Sequence, residues 1–313
     1  MDDRRLNILV SVVTRNRVQQ LDKALALITQ QTLPPDQVLV VDNASEAATP
    51  DLVHQWQARN PHIVYRNTGY NSGSAGGQKR ALEYAVANDF DLIYTMDDDC
   101  EPEVDALETI VQTWRGLAEP ESWALNSVVK DLASERLSFG LWVAEEKLPR
   151  KATVFYRTLE EIPPGLRSGK VYANWGCFFN GTLLPIKLIE QIGLPREELF
   201  IRGDEVEYFY RLARRFRVGT ALESVVRHPL EEAGKASLPV WKTYLQTRNN
   251  TVIEKTYFPS CKTHPVYLYL KVLKYRGLAR LGRNHKARHE VTALAIQDAM
   301  RDKLDRNAFE LGK

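Results

Sequence analysis

Three adjacent carboxylates, Asp97, Asp98 and Asp99, directly follow an apolar run with the composition of a buried strand. Like charges placed together at a strand end are unfavourable unless a cation neutralises them. Alternate side chains of an extended chain share a face, so Asp97 and Asp99 are predicted to point together and Asp98 to point away. The pattern predicts a site for Mg²⁺ or Mn²⁺, which prefer oxygen ligands. The alternative is an acidic turn that caps the following helix.

A second acidic group, Asp204, Glu205 and Glu207, stands at the start of a helix predicted to run through Arg215. Asp204 suits the N-cap and Glu207 the third helical position, the arrangement of a capping box. Glu205 has no such local role in the pattern, which makes it a candidate functional residue. The alternative is that all three carboxylates simply stabilise the helix start through its dipole.

One histidine and several aromatic residues complete the set of candidates. His228 ends a predicted strand at 220–227, which makes it a candidate metal ligand in a chain that already carries a carboxylate pair. A structural histidine is the alternative. Trp175 lies in an aromatic segment that is either core or sugar site. Trp241, Tyr244 and Arg248 are spaced to share one face of a helix.

A glycine-rich stretch at 69–77 precedes a predicted helix at 79–87. Its spacing fits neither the dinucleotide fingerprint nor the Walker motif, and it follows the third predicted strand rather than the first. Gly73, Gly76 and Gly77 indicate a backbone that passes close to a ligand. A flexible entry into the helix is the alternative.

The elements that must position these residues alternate along the first hundred residues. The sequence predicts strands at 7–14, 37–42, 63–65 and 91–95, with helices at 21–28, 51–58 and 79–87 between them. This alternation predicts βα units and an open, mostly parallel sheet with helices on both faces. Ligands of such sheets bind beyond the carboxyl ends of the strands, where Thr14, Arg15, Asp42 and the three aspartates fall.

After a predicted helix at 103–117, the organisation changes to strands of another layer at 123–129 and 137–142 and a Pro-rich stretch at 145–168. We predict a catalytic domain at 1–235, with a nucleotide-binding half at 1–120 and an acceptor half at 121–235. Residues 236–313 are predicted to form a helical, basic extension.

The composition limits the function classes. The chain has 313 residues, 44% of them hydrophobic, and a net charge of +2, which gives no overall sign of nucleic-acid binding. Three widely spaced cysteines match neither a zinc site nor a disulfide framework. The chain starts without the pattern of a signal peptide, and no apolar run approaches the ~20 residues needed to span a bilayer. These features predict a cytoplasmic protein.

The segment from 255 to 289 has no acidic residue, while lysines and arginines accumulate among apolar side chains. Its basic residues are Lys255, Lys262, Lys271, Lys274, Arg276, Arg280, Arg283, Lys286 and Arg288. Such a segment is typical of an element that contacts a membrane surface. The alternative is a charged helix face against the main domain or a partner subunit. The last helix, near 291–304, is predicted to dock back or to form a dimer contact.

Taken in order, the segments 12–17, 40–45, 71–77, 96–99 and 203–208 resemble the motifs of inverting family 2 glycosyltransferases, which have the GT-A fold. The resemblance covers roughly residues 7 to 255. Within the family the chain is most similar to galactofuranosyltransferases and rhamnosyltransferases. Trp175 upstream and His228 downstream of the acidic helix start favour the galactofuranosyl type.

The resemblance implies a role for each matching residue. Donor nucleotide contacts fall on Thr14, Arg15, Asp42, Asn71, Gly73, Gly76, Gly77, Asp97 and Asp98. The ligands of Mn²⁺ or Mg²⁺ are Asp97, Asp99 and His228. Glu205 matches the catalytic base, but the family more often has aspartate there, which makes Asp204 a rival. Acceptor and sugar contacts fall on Trp175, Tyr208, Trp241 and Arg248.

The activity that the resemblance implies is metal-dependent transfer of a sugar, with inversion, from a nucleotide donor to a hydroxyl of a growing surface polysaccharide. UDP-galactofuranose is the favoured donor, and the acceptor is expected to be linked to a polyprenyl diphosphate at the inner face of the plasma membrane. Transfer from dTDP-rhamnose is the alternative within the family. Outside the family, the competing functions are those of a sugar nucleotidyltransferase and of a nucleotide- or sugar-binding module without transfer activity.

Overall fold

The computed structural model describes residues 5–139, 141–142, 155–167, 169–173, 175–230, 238–281 and 286–311. Three parts of the predictions lie outside these residues. They are the first part of the Pro-rich stretch, from 145 to 154, the predicted domain border at 235, and Arg283. The chain divides into two compact units. The first comprises Met1–Pro195 and Tyr208–Glu231, and the second comprises Arg196–Glu207 and Glu232–Lys313. The segment before the acidic helix start therefore groups with the C-terminal helices.

Parallel strands alternate with helices in the N-terminal part of the first unit, as predicted. These elements are β1 (Ile8–Thr14), α1 (Val18–Thr29), β2 (Gln37–Asp42), α2 (Ala48–Arg59), β3 (Ile63–Asn67), α3 (Gly73–Ala87) and β4 (Leu92–Asp97). Strands β3, β2, β1 and β4 lie side by side in that order and all run parallel. All seven residues of β1 are buried, as expected for an apolar strand covered on both faces.

The remainder of the first unit extends this sheet with strands of mixed direction. Its elements are β5 (Glu101–Pro102), α4 (Ala106–Arg115), β6 (Trp123–Asp131), β7 (Leu141–Trp142), β8 (Phe155–Tyr156), α5 (Pro164–Arg167), β9 (Val171–Ala173), β10 (Thr182–Pro185), α6 (Ile186–Ile192) and β11 (Arg217–His228). Strand β10 is antiparallel to both β4 and β6, and β11 is parallel to β6. Within the described residues nine strands form one sheet, so the predicted open, mostly parallel α/β fold is confirmed.

Helix α7 (Asp204–Ala213) begins in the second unit and continues in the first. The second unit is otherwise helical, with α8 (Val240–Tyr257), α9 (Pro265–Arg280) and α10 (Lys286–Met300). Buried residues of α8 pack with α10, and buried residues of α9 pack with the same helix. In the part of the chain that the structure describes, none of the helices has the length and apolar character needed to cross a bilayer.

Candidate active site

Three strand ends meet at one edge of the sheet. The register pairs Val13 of β1 with Asp97 of β4, and Thr14 of β1 with Asp42 of β2. The Thr14 hydroxyl donates a 2.7 Å hydrogen bond to Oδ2 of Asp98, which joins the ends of β1 and β4 directly. The predicted convergence of these residues is therefore confirmed, and the side chains around it form the candidate site.

The three aspartates do not alternate as predicted. Strand β4 ends at Asp97, and the chain turns there, because the Cys100 N–H donates to the Asp97 carbonyl at 3.2 Å. Alternation of side chains holds only in extended backbone, so it does not separate Asp98 from Asp99. Both carboxylates instead accept hydrogen bonds from one nitrogen of Arg17, at 3.0 and 2.5 Å.

Arg17 was not among the predicted site residues. Its guanidinium bridges Asp98 and Asp99 from the N-terminal end of α1, and its side chain is half-exposed. Burial lowers the pKa of Arg17, but the two carboxylates raise it by more than burial lowers it, so the guanidinium keeps its charge. The available signal in the sequence was a second basic residue three positions after the first strand. Its acidic partners, however, lie more than eighty positions away.

Asp99 and His228 form the second pair of the site. Nε2 of His228 lies 3.3 Å from Oδ1 of Asp99, and Nδ1 lies 2.8 Å from the Pro229 carbonyl. Burial opposes ionisation of Asp99, but the hydrogen bond and charge of His228, followed by Arg17, lower its pKa to about 2. The pKa of His228 is raised by Asp99 against the effect of burial. Because the carbonyl of Pro229 and the carboxylate of Asp99 both only accept, both ring nitrogens of His228 carry a proton in this arrangement, in keeping with its raised pKa.

Asp97 and Asp98 are held with raised pKa values. Burial, followed by the charges of Asp99 and Asp98, raises the pKa of Asp97 to about 7. Burial also raises the pKa of Asp98 to about 6, although Arg17 and the Thr14 hydroxyl lower it. Asp97 accepts a 3.3 Å hydrogen bond from Gln78, which in turn accepts one from Thr95. Gln78, on α3, is a further contact that the sequence pattern did not reveal.

The donor atoms at this strand end fit a divalent cation. Among the described residues, no group of three or more His, Cys, Asp or Glu side chains is already arranged to hold a metal. Asp99 and His228 nevertheless form a carboxylate–imidazole pair, and burial followed by the charges of Asp99 and Asp98 raises the pKa of Asp97, which a bound cation would lower. This combination of ligands suits Mn²⁺, and a donor diphosphate would add oxygen ligands.

Asp42 is completely buried at the end of β2. Its carboxylate accepts hydrogen bonds from the Tyr65 hydroxyl at 2.5 Å, from Nδ2 of Asn67 at 3.2 Å and from the Ser45 N–H at 2.9 Å. Burial and the bond to Asp42 raise the pKa of Tyr65 to about 12, so its hydroxyl stays a donor. A nucleotide base that bonds to Asp42 would have to share it with these partners. Arg15 lies exposed beside this edge.

The predicted glycine loop is largely helix. Helix α3 begins at Gly73, whose φ of +71° lies in the left-handed region, and Asn71 accepts a hydrogen bond from its N–H at 3.2 Å. Gly76 and Gly77 are buried in the following turn. A Cβ on Gly77 would lie 2.3 Å from Cγ1 of Val13, so this glycine lets the helix pack on β1. The prediction that a loop runs to Lys79 is wrong, because close helix–strand packing also requires glycine.

The acidic helix start also differs from its prediction. Oε2 of Glu205 accepts a 2.9 Å hydrogen bond from the Gly203 N–H, so Glu205 has the local role that the sequence pattern did not give it. Glu207 is buried and accepts a 2.6 Å hydrogen bond from the Tyr257 hydroxyl instead of closing a capping box. Asp204 is the first residue of α7 and is buried. Glu205 is the most exposed of these three residues.

The loop before α7 has an unusual backbone that α8 holds in place. Phe200, Arg202 and Gly203 have positive φ values. This conformation is unfavourable for residues other than glycine, so it costs energy at Phe200 and Arg202. The buried amide of Asn249 donates to the carbonyls of Leu199, Ile201 and Arg202 at 2.9–3.1 Å. The α8 helix thus fixes the backbone that leads to Glu205.

The predicted acceptor residues divide into two groups. Tyr208 is completely buried and donates to the Gly193 carbonyl, and Arg248 is 1% exposed and donates to the carbonyls of Glu198, Leu199 and Leu304. These two residues support the interior, which corrects the expectation that they contact a sugar. Trp175, packed on Phe209, and Trp241, packed on Phe309, are partly exposed and stay candidates.

The fold places the chain among the GT-A glycosyltransferases. The solved structure of GalNAc-T7 with UDP, GalNAc and Mn²⁺ superposes with a TM-score of 0.62 at 12% identity, covering 99% of this chain and 59% of that chain. A likeness at this identity shows the fold alone.

Sequence relatives define the family. Residues 9–118 match the family model described as glycosyl transferase family 2. Galactofuranosyltransferase GlfT1 of Mycolicibacterium smegmatis is 31% identical over 223 residues, 70% of this chain and 69% of that protein. GlfT1 of Mycobacterium tuberculosis CDC 1551 is 32% identical over 227 residues, 71% of this chain and 70% of that protein. The chain belongs to glycosyltransferase family 2. The competing functions of a nucleotidyltransferase and of a binding module without activity are therefore set aside.

Proposed function

We propose that this glycosyltransferase moves galactofuranose from UDP-galactofuranose to a hydroxyl of a growing polysaccharide, with inversion at the anomeric carbon. The similarity to the two GlfT1 proteins over about 70% of the chain carries the choice of sugar. The acidic strand end supports the choice of a nucleotide diphosphate donor, because its ligands fit the cation that such a donor needs. Neither observation favours dTDP-rhamnose.

Asp99 and His228, assisted by Asp97, would hold Mn²⁺ or Mg²⁺. When bound, such an ion supplies positive charge that stabilises a diphosphate leaving group. Thr14 keeps Asp98 in the wall of the site, and Asp98 together with Asp99 orients the Arg17 guanidinium. Arg17 therefore offers the diphosphate a second positive group once a metal ion takes over Asp99. Arg15 and the Asn71–Gly73 turn are proposed to complete the donor contacts.

Glu205 is proposed as the general base. Its carboxylate accepts the proton of the acceptor hydroxyl as that oxygen attacks the anomeric carbon and the bond from this carbon to the diphosphate breaks. The hydrogen bond from the Gly203 N–H fixes the orientation of Oε2, and Asn249 holds the preceding loop. A positioned base contributes roughly 10²–10⁴-fold to the rate. Asp204 is less suited to this role because it is 2% exposed.

The acceptor is proposed to be a glycan carried on a polyprenyl diphosphate. Trp175 and Trp241 are partly exposed and are proposed to offer an aromatic ring to a sugar. The absence of acidic residues from 255 to 289 suits an acceptor that carries a diphosphate or lies on an anionic membrane.

Release of the nucleoside diphosphate (UDP or dTDP) and product formation from UDP-galactofuranose, dTDP-rhamnose and UDP-hexoses, each with and without Mn²⁺, test the donor. We expect metal-dependent turnover with UDP-galactofuranose. Turnover with dTDP-rhamnose alone would replace the proposed donor while leaving the transferase class intact.

The matched pair Glu205→Gln and Asp204→Asn tests the base. We expect Glu205→Gln to lose roughly 10²–10⁴-fold in turnover while thermal stabilisation by UDP and Mn²⁺ persists. Asp204→Asn should retain turnover to within about tenfold. An active Glu205→Gln enzyme beside an inactive, donor-binding Asp204→Asn enzyme would transfer the role to Asp204.

A further inference from the structure

One side of α9 presents large apolar side chains to solvent. Its buried side consists of Leu268, Val272 and Ala279, and the first two pack with α10. On the opposite side, at helical spacings of three and four, lie exposed residues that we term the α9 outer face. They are Val266 (61% exposed), Tyr269 (55%), Leu270 (57%), Leu273 (45%) and, just after the helix, Leu281 (67%).

This concentration is unlike the rest of the described surface. Eleven large hydrophobic residues are exposed among the described residues, and six of them lie between 266 and 281. The sixth is Tyr267, on the flank of the outer face. Single exposed apolar residues need no explanation, but a contiguous exposed apolar strip indicates a partner. Helix α9 therefore has a buried side that supports the fold and an outer side suited to an external partner.

The charges around the outer face select the partner. Lys274 and Arg280 are exposed beside it, and Lys271 lies over the ring of Tyr267 at 5.3 Å. Arg276 donates to Gln297 of α10 and so lies toward that helix rather than beside the outer face. The stretch from 255 to 289 contains no carboxylate to neutralise these cations. The outer face is an apolar strip bordered by positive charge.

We propose that the α9 outer face docks on the surface of an anionic phospholipid bilayer, with the helix axis in the membrane plane. The leucines and Val266 enter the boundary of the acyl chains, the tyrosines lie at the headgroup level, and the lysines and arginines contact lipid phosphates. The helix has 16 residues, too few and too charged to span a bilayer. A second copy of the chain fits less well, because a symmetric contact would place these cations against one another.

This proposal goes beyond the reaction and does not depend on the donor sugar. Flotation of the full chain with vesicles of phosphatidylcholine, with or without phosphatidylglycerol, measures the docking directly. We expect binding to anionic vesicles that weakens at high salt. Replacing Lys271 and Lys274 by Gln should weaken binding about fivefold for each removed charge. Leu270→Glu combined with Leu273→Glu should abolish it.

Val104→Glu is the matched control, because Val104 is equally exposed but lies outside this segment. It should float like the wild type. Folding of each variant is checked by its melting temperature. Metal-dependent UDP release with a soluble acceptor should be the same in the double glutamate variant and the wild type, so that failure of docking and failure of the proposed reaction give different results.

Leu270→Trp gives an independent signal that needs no loss of binding. Its fluorescence should shift to the blue with anionic vesicles, while that of Val104→Trp should not. Three results would overturn the proposal. The first is the absence of wild-type flotation with anionic vesicles, and the second is flotation of the double glutamate variant at the wild-type level. The third is a wild-type dimer in solution that becomes a monomer in the double glutamate variant, which would assign the face to a second copy.

Discussion

Asp298 in the second unit and Asp98 at the end of β4 are buried carboxylates, each in a cluster of polar side chains, but the two clusters differ. In the second unit, Asp298 accepts hydrogen bonds from the Tyr244 hydroxyl at 2.7 Å and from Nε and Nη2 of Arg306 at 2.5 and 3.2 Å. Burial opposes its ionisation, but Arg306 and Tyr244 lower its pKa. This carboxylate has its full complement of partners, and the cluster joins α8 and α10 to the C-terminal segment.

At the end of β4, three carboxylates share Arg17 and His228. Burial raises the pKa of Asp97 to about 7 and that of Asp98 to about 6, whereas His228 and Arg17 lower the pKa of Asp99 to about 2. A chain does not gain stability from raised carboxylate pKa values. The two clusters therefore differ in how far their partners offset burial, because they lower the pKa of Asp298 but leave the pKa values of Asp97 and Asp98 raised, which a bound cation would reverse.

The largest effect is expected from Asp99→Asn. Loss of this carboxylate should reduce metal-dependent turnover by about 10³-fold, because it removes the carboxylate that pairs with His228 at the proposed metal site. The melting temperature without metal should fall, because the lowered pKa of Asp99 means that its pairing with His228 and Arg17 stabilises the fold at neutral pH. Initial rates and melting curves measure both effects.

Glu101→Gln is the control for this variant, because Glu101 lies two positions further along and its carboxylate pairs with Lys23 instead of His228. Its turnover should match that of the wild type. An Asp99→Asn enzyme within tenfold of the wild-type rate would remove the basis for treating the β4 cluster as the metal site.

A smaller effect, on stability, is expected from Arg248→Met. The guanidinium is buried and donates to carbonyls of Glu198, Leu199 and Leu304, which the variant would leave without these donors. We expect a loss of about 3 kcal/mol in the free energy of unfolding, measured by urea denaturation. Lys242→Met, on the same helix but partly exposed, should lose less than about 0.5 kcal/mol. Equal losses would show that Arg248 is not a structural residue.

The stability that Asp298 contributes should also depend on pH. Because the folded pKa of Asp298 is lowered, its contribution to stability is full above the unfolded pKa of about 3.9 and is lost as pH falls through the folded value. Asp298→Asn should therefore cost about 2 kcal/mol at neutral pH, and the difference from the wild type should shrink as the solution is acidified below about pH 4. Denaturation curves at several pH values measure this. A difference that is constant with pH would contradict the assignment.

The sequence predicted the elements whose signal is local. Strand β2 was expected at the residues where it lies, and α1 at the spacing of Leu21, Leu25 and Ile28, because continuous apolar runs and helical periodicity need no knowledge of distant residues. The ends of β1 and β2 were placed correctly for the same reason, whereas β3 and β4 continue past the predicted ends at 65 and 95 to Asn67 and Asp97. Their convergence follows from parallel strand order, so the location of the site could be predicted before any side-chain geometry was known.

Several of the incorrect predictions depended on distant contacts. Gly77 reads as a loop residue unless Val13 is known to lie against it. Glu207 is interpreted as a capping residue unless it is known that the Tyr257 hydroxyl, fifty positions later, donates a hydrogen bond to it. Arg248 reads as an exposed cation until its carbonyl partners are known. Local pattern cannot separate a buried, fully bonded charge from one that is available to a ligand.

The smallest effect, and the sharpest contrast between the clusters, concerns Arg17. Its guanidinium holds Asp99 where a metal ion would bind, so the two cations compete for one carboxylate. Arg17→Gln should therefore bind Mn²⁺ about fivefold more tightly in the absence of donor, as measured by paramagnetic resonance of the free ion. Lys23→Gln removes an exposed cation from the same helix, where its partner is Glu101, and should leave the Mn²⁺ affinity unchanged. Weaker Mn²⁺ binding in Arg17→Gln would mean that Arg17 organises the carboxylates instead of competing for them.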